Sequence, residues 1–453
     1  MAQNLLAIQS LAERIRKLLE LGEIKNAIQL IQNEHPADIA DLLEQLDEPQ
    51  RTLLFQELNL VEAGEVLDEI STEATIELVD AVPDESIADI LETLPVNDAA
   101  EVLTEIETKR AEQILNLIEP EDAQEIGKLL AYPDQSAGRL MTTEVVRIQE
   151  DWTVQGTLDY LRKQAEKSDT LAYLYVVDRS EHLVGVLSLR VLVTENPEVI
   201  VRDVMDKDVI TVDVMADQED AARLVEHYDF YAIPVVDSEY RFVGILTHDD
   251  VVDILQEEFT EDIQRMGGSQ PLESEYLASS VLTVFQKRIT WLLVLFLTSM
   301  LTGSVMRYYE HDLQVVVALS FFIPLLIGTG GNSGSQATST IVRALAMREV
   351  LVKDVWRLLW HEMRAGFLLG LAMGVIGFGR ALLWHSGIPL ALTVAAALFA
   401  IVLWANAIGA ILPPLASKLK VDPAVISGPV MSTLVDATGL IIYFTLARWI
   451  IGL

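Results

Sequence analysis

Between Asp422 and Arg448 lie 25 residues, and Asp436, within SGPVMSTLVDATGLIIYF (427–444), is the only charged one. At about 1.5 Å per helical residue such a run crosses a hydrocarbon core of roughly 30 Å. The acid is therefore expected near the midplane, where ionisation costs at least ~2.5 kcal/mol. A carboxylate kept at that cost needs a partner. Arg343, Arg364 and Arg380 all fall toward membrane boundaries, so the expected partner is a cation. A hard carboxylate among carbonyl and amide oxygens favours Mg²⁺, Ca²⁺, Mn²⁺, Na⁺ or a proton over soft metals. One acid per chain is too poor a ligand set to strip an ion of its water. Two chains on a symmetry axis would offer two carboxylates to a partly hydrated ion, and a homodimer is expected.

The neighbouring residues extend this reading. Ser432 is one helical turn before Asp436 and Gly439 nearly one turn after it. WANAIGAILPP contributes Asn406, Gly409 and the Pro413-Pro414 pair, and IPLLIGTGGNSGSQATST carries Gly328, Gly330, Gly331 and Gly334 among Asn332, Ser333, Ser335 and Gln336. Gly328, Gly330, Asn332, Gln336, Asn406, Ser432 and Gly439 are the expected pore-lining residues. The glycines suggest irregular backbone beside a wet cavity, where freed peptide groups find partners. Close helix packing through small residues is the competing reading.

Five spans must position these groups. Uncharged runs occupy 289–306, 313–342, 365–379 and 381–417, followed by the Asp436 segment; the third is short and needs Arg380 to snorkel. With the N-terminus inside, Lys287, Arg288, Arg343, Arg348, Lys353, Arg357, Arg364, Lys418 and Lys420 are cytoplasmic. Only Arg307, Arg380 and Arg448 face out, which satisfies the positive-inside rule.

The rest of the chain is of another kind. Residues 1–286 hold 61 acidic against 20 basic side chains, whereas 287–453 hold 7 against 12. An acidic soluble half is thus joined to an apolar membrane half, and its charge argues against nucleic acid or anionic lipid as its partner. The absence of cysteine excludes disulfides and thiolate chemistry and suits a cytosolic location. MAQNLLAIQSLAERIRKLLELGEIK lacks a long apolar core and a cleavage site, so the acidic half is expected to stay in the cytoplasm. No enzyme is expected: the seven histidines form no HExxH, there is no Walker loop, and GTGGNSG lies in a span.

Within the soluble half, residues 1–133 read as short amphipathic helices punctuated by HP, EP and LP, with related phrases PADIADLLEQL, ESIADILETLP and NDAAEVLTEI. LYVVDRSEHLVGVLSLRVLV and IPVVDSEYRFVGILTHDDVV then align, Asp178 over Asp237 and Gly185 over Gly244. Each reads as strand, turn, strand and helix, and the openings LMTTEVVRI and VMDKDVITV also correspond. A helix from near Asp249 to Gly267-Gly268 carries Asp250, Asp253, Glu257, Glu258, Glu261 and Asp262. Their like-charge pairs at i,i+3 and i,i+4 oppose the helix unless something bridges them, a cation or screening salt.

The tandem repeats resemble a pair of CBS domains, which often bind adenine nucleotides through a Ser/Thr and an Asp after the second strand. Thr247 and Asp250 fill those places in the second repeat. The first keeps Ser188 but has Val191 where the acid would be, so the resemblance implies one ATP-type site. The whole chain resembles the MgtE family of magnesium transporters, on the motifs PLLIGTGGNSGSQ and VDPAVISGPVMSTLVDATGLIIY. The resemblance implies a multidomain membrane protein of the plasma (inner) membrane: an all-α acidic N-domain (1–133), α/β CBS repeats (134–200 and 201–256), a connecting "plug" helix (257–283) and a five-helix pore domain (284–453). It also implies Mg²⁺ uptake gated by intracellular Mg²⁺, with Asp436 in the pore and Glu219, Asp229, Asp250, Asp253, Glu258, Glu261 and Asp262 sensing the ion. Gly428 departs from the family's frequent SNP, which leaves only backbone oxygen there. A proton- or sodium-coupled divalent-cation exchanger, and a nucleotide-sensing membrane scaffold without transport, are the alternatives.

Overall fold

The structure is a computed structural model, which describes residues 2–32, 34–164, 171–272, 276, 279–426 and 428–453. The chain divides into two compact units, Met1–Glu258 and Phe259–Leu453.

The first unit begins with short helices running from Ala2–Glu20 to Pro120–Leu130. Punctuation and capping set their boundaries. Pro36 and Pro120 occupy first helical positions, where a missing N–H removes no intrahelical bond. Asp47 accepts from the Gln50 N–H at 3.0 Å and Asn59 from the Glu62 N–H at 3.0 Å, satisfying donors that helix starts leave open. Leu43, Leu54, Phe55, Leu67, Leu78 and Leu129 fill a common core, and many acids occupy the outward faces.

Two three-stranded sheets follow. The first comprises β1 (Arg147–Gln149), β2 (Tyr173–Val177) and β3 (Leu183–Ser188); the second comprises β4 (Val212–Asp213), β5 (Ala232–Val236) and β6 (Phe242–Thr247). In both, the first pair is parallel and the second antiparallel. The repeated glycines hold equivalent places, Gly185 opposite Val176 and Gly244 opposite Val235. A Cβ on Gly185 would lie 2.5 Å from Met205 Sδ, and one on Gly244 would lie 2.5 Å from the Thr142 carbonyl. Each repeat's opening segment therefore crosses the other repeat's strand, through bridges Val186–Asp206 and Thr142–Ile245. Tyr175 stacks on Phe242 at 4.9 Å between the sheets. The repeats are interlocked, which their sequence alignment does not reveal.

The helix His248–Met266 leaves β6 and ends at Gly267-Gly268, where the periodicity stops it; it does not extend over 257–283. Among the described residues, five helices long and apolar enough to cross a membrane follow: Val281–Tyr308, Val317–Ala346, Val352–Leu383, Ile388–Lys418 and Pro429–Ile451. The third is secured at its outer end by Arg380, whose guanidinium lies 4.2 Å from the centre of the Trp384 ring.

The expected irregular backbone at the glycine-rich span is not found. Ile323–Ala346 is continuous α-helix through Gly328–Gly334, because close packing supplies the reason for the glycines. A Cβ on Gly330 would lie 2.5 Å from Ile401 Cγ2 and 2.9 Å from Val435 Cγ1, and one on Gly334 would lie 2.5 Å from Met431 Cε. The second, fourth and fifth spans thus meet backbone to side chain. Gly328 has nothing within 4 Å of such a Cβ. Gly330→Ala is accordingly expected to destabilise the membrane unit by ~1–3 kcal/mol through overpacking against the stiff Ile401, and Gly328→Ala to be near neutral. Thermal unfolding in detergent checks the contrast.

Candidate functional site

Asp436 lies on the helix Gly428–Ile451, about 12 Å past its first residue and about 22 Å before its last. It sits nearly one turn to the cytoplasmic side of the helix centre, because Pro423–Ile426 forms a separate 3₁₀ turn and the span begins later than the uncharged run. The side chain is half-buried. Among the described residues it has no hydrogen-bond or ion-pair partner. Arg448, the basic residue of its own helix, is held instead by the buried Asp312 at 2.8 Å.

The second span runs antiparallel beside it, Gly334 facing Met431, Gly331 facing Ser432 and Gly330 facing Val435. Gly328, Asn332 and Gln336 recur every four residues and form one exposed polar stripe. Half-buried Ser432 places its hydroxyl 3.4 Å from that of Ser335. Three expected lining residues have packing roles instead. Gly330 is buried under Ile401 and Val435, and Gly439 lies against Ile401. Asn406 is 2% exposed and donates to Ser333 Oγ at 2.7 Å and to the Val402 carbonyl at 2.8 Å, stapling the second span to the fourth. An amide in an apolar run signals a pore and an interhelical bond equally, which is why sequence could not separate them.

In the first unit, acids that sequence reading did not single out lie close by: Asp68 near Asp250 and Asp253, Glu101 near Asp250, and Glu105 beside Glu101. The available signal was a repeated phrase, EVLDEI at 65–70 and EVLTEI at 101–106. Burial first, and then the carboxylates of Glu69, Asp250, Asp253 and Asp249, pushes Asp68 up to about 6. Burial, then Glu105, Asp68, Glu257 and Asp250, pushes Glu101 up to about 7. Asp250 also rises to about 6 through burial, although Thr247 opposes this by donating from its N–H at 3.1 Å and from its hydroxyl. Glu258, held by Gln218 Nε2 at 2.8 Å, is raised by burial and then by Glu219, Asp217 and Glu257. These groups resist sharing their negative charge.

The remaining residues do not converge on one point. Glu219 pairs with Arg223, while Asp229 caps the far end of the same eleven-residue helix in a left-handed conformation, about 15 Å away. In the second unit Glu261 is bound by Arg265, which also reaches Asp422 Oδ2 at 2.6 Å, so its charge is already matched; Asp262 follows it, half-buried. Ser188 caps its helix by accepting from the Val191 N–H at 3.3 Å. Among the described residues no three acidic or histidine side chains form a ready metal cage.

A five-helix membrane unit with an uncompensated carboxylate, preceded by a CBS pair and an acidic helical domain, defines an integral membrane cation transporter. Known proteins place it further. The family model MgtE, a divalent cation transporter, matches residues 323–446; the MgtE intracellular N domain matches 34–135, and CBS domains match 137–196 and 201–257. The chain is 38% identical to the magnesium transporter MgtE of Thermus thermophilus over 97% of its own length and 98% of that protein's. It is likewise 38% identical to that of Bacillus subtilis over 70% of each. A solved cytosolic domain of the Mg²⁺ channel MgtE in complex with ATP covers 54% of this chain and 99% of that one, at 35% identity and TM-score 0.52. The soluble part of a magnesium transporter matches at 31% identity over 55% of this chain and 99% of that one, TM-score 0.51. The chain belongs to the MgtE family.

Acids raised in the folded state hold more protons there than when unfolded, so their contribution to stability grows as pH falls through about 7 to 4 and is lost as pH rises. In Mg²⁺-free buffer the first unit is expected to melt higher at pH 5.5 than at pH 8. Glu101→Gln is expected to raise the pH 8 value and flatten the slope. Calorimetry of the full chain measures both.

Proposed function

We propose that two copies of this chain form a magnesium-selective channel that mediates Mg²⁺ uptake and is closed by intracellular Mg²⁺. The observation that carries this reading is Asp436, without a partner among the described residues, on a span packed against the one that carries the exposed stripe Gly328, Asn332 and Gln336. A second copy across an axis would enclose that stripe and bring two carboxylates to one hydrated ion, whose remaining waters find acceptors on Ser432, Asn332 and Gln336. The relatives named as magnesium transporters supply the ion's identity. No residue of the span Val281–Tyr308 is buried by its own chain, which leaves that helix for lipid or the second copy.

Gating follows from the same electrostatics. At low Mg²⁺ the carboxylates of Asp68, Glu101, Asp250, Asp253, Glu257 and Glu258 repel and hold the acidic domains apart. Rising Mg²⁺ bridges them. A site at ten times its Kd contributes about 1.4 kcal/mol, and four such sites supply roughly the 5.5 kcal/mol that swings a two-state gate from 1:99 to 99:1. The pore end of the linkage is Gly268, at φ +75°, where a Cβ would meet Trp291 Nε1 at 2.5 Å and Pro429 Cγ at 3.2 Å. Displacing the end of the helix His248–Met266 therefore pushes directly on the first and fifth spans. An adenine nucleotide is assigned to the second CBS repeat at Thr247 and Asp250, supported by the related domain solved with ATP.

Asp436→Ala is expected to lower Mg²⁺ flux into proteoliposomes by at least about tenfold, the factor for 1.4 kcal/mol of lost ion stabilisation, while the protein elutes as a folded species. Wild-type flux in that variant would make the acid structural. Neutralising Asp250, Asp253 and Glu258 together should leave the channel conducting at Mg²⁺ concentrations that close the wild type. Retained closure in single-channel recordings would move the sensor elsewhere.

A further inference from the structure

The third span presents a glycine face to the fourth: Gly366 lies against Asn406, Gly370 and Gly374 against Phe399 and Ala395, and Gly377 against Leu398. Beside this seam, Trp360, Met363, Arg364, Phe367 and Leu368 join Leu403 of the fourth span around an open groove of about 440 Å³. Its lining is apolar but for one guanidinium. Trp360, Phe367 and Leu368 are 69%, 50% and 67% exposed. Arg364 is exposed too, and it has no ion pair among the described residues.

Depth gives the groove its chemistry. Arg364 precedes Arg380 by 16 residues, about 24 Å of helix, so with Arg380 at the outer boundary it sits at the inner edge of the hydrocarbon. Trp360 lies one turn toward the headgroups, and Phe367 and Leu368 lie one turn into the acyl region. This order of indole, cation and aliphatic surface matches headgroup, phosphate and chain. The side is the cytoplasmic one by the charge asymmetry of the loops, where membranes expose anionic lipid.

A second copy of the chain fits the groove less well. Among the acids on this side, Glu349 faces Arg343, Asp354 faces Arg357 and Asp422 faces Arg265. Glu362 is two residues from Arg364, about 200° round the helix, and points the other way. An isologous contact through this flank would also oppose two guanidiniums.

We propose that this groove binds an anionic glycerophospholipid of the inner leaflet, its phosphate on Arg364 and one acyl chain along Phe367, Leu368 and Leu403. Native mass spectrometry of the full-length protein in detergent, titrated with phosphatidylglycerol or with phosphatidylcholine of the same chains, tests it. The wild type should retain phosphatidylglycerol preferentially. Arg364→Gln should lower that occupancy about fivefold without changing phosphatidylcholine, and Arg364→Lys should restore most of it. Leu403→Trp, which fills the groove, should displace the lipid with Arg364 intact, and melting temperatures verify that each variant is folded. Equal phosphatidylglycerol retention in wild type and Arg364→Gln would overturn the proposal. So would displacement by inorganic phosphate alone, the mark of a free-anion site, or conversion of a dimer to monomer by Arg364→Gln, the mark of a protein interface.

Discussion

A carboxylate in a low-dielectric surround must find a positive partner, and among the described residues Asp436 has none. Several other charges of the unit are matched locally: Asp312 by Arg448, Asp422 by Arg265, and Arg380 by the face of Trp384. Glycine packing draws the second, fourth and fifth spans close enough to fix the acid's position, and the Asn406–Ser333 bond secures the seam. Against this background the unmatched Asp436, lying inside a span, is the candidate site for a mobile cation. One carboxylate from each of two copies, as proposed, would leave the ion most of its water, which suits Mg²⁺ and its reluctance to dehydrate.

The acidic unit uses the same physics in the opposite sense. Carboxylates such as Asp68, Glu101 and Asp250 are driven toward their neutral forms by burial and by one another. Bringing them together without a counter-ion is costly, and on the gating proposed above a bridging cation would offset that cost. On that proposal many weak sites would suffice, because only their summed free energy would have to move the gate. Within the second unit Gly268 leaves no room for a side chain between it and Trp291.

Local signals in the sequence carried much of this. The apolar runs gave five spans, the alignment of Gly185 with Gly244 gave paired α/β repeats, and the isolation of Asp436 gave the candidate ion site. Long-range partnership was what stayed hidden. Gly330 and Gly439 look like pore glycines until Ile401 is seen against them, and Glu261 looks free until Arg265 links it to Asp422, far along the chain. The interlocked repeat openings follow from tertiary crossing, which periodicity does not encode. Asp68 and Glu101 read as solvated acids because nothing in their own helices names Asp250 as a neighbour.

The chain has no cysteine, so Asp436→Cys would carry a single thiol at the point where two copies are held to share an ion. Cross-linking that variant in membranes with a short, water-soluble bis-maleimide addresses the arrangement directly. A covalent dimer linked through the two introduced thiols is the predicted result. A thiol that reacts only with lipid-soluble reagents, and never links two chains, would contradict the account at its root.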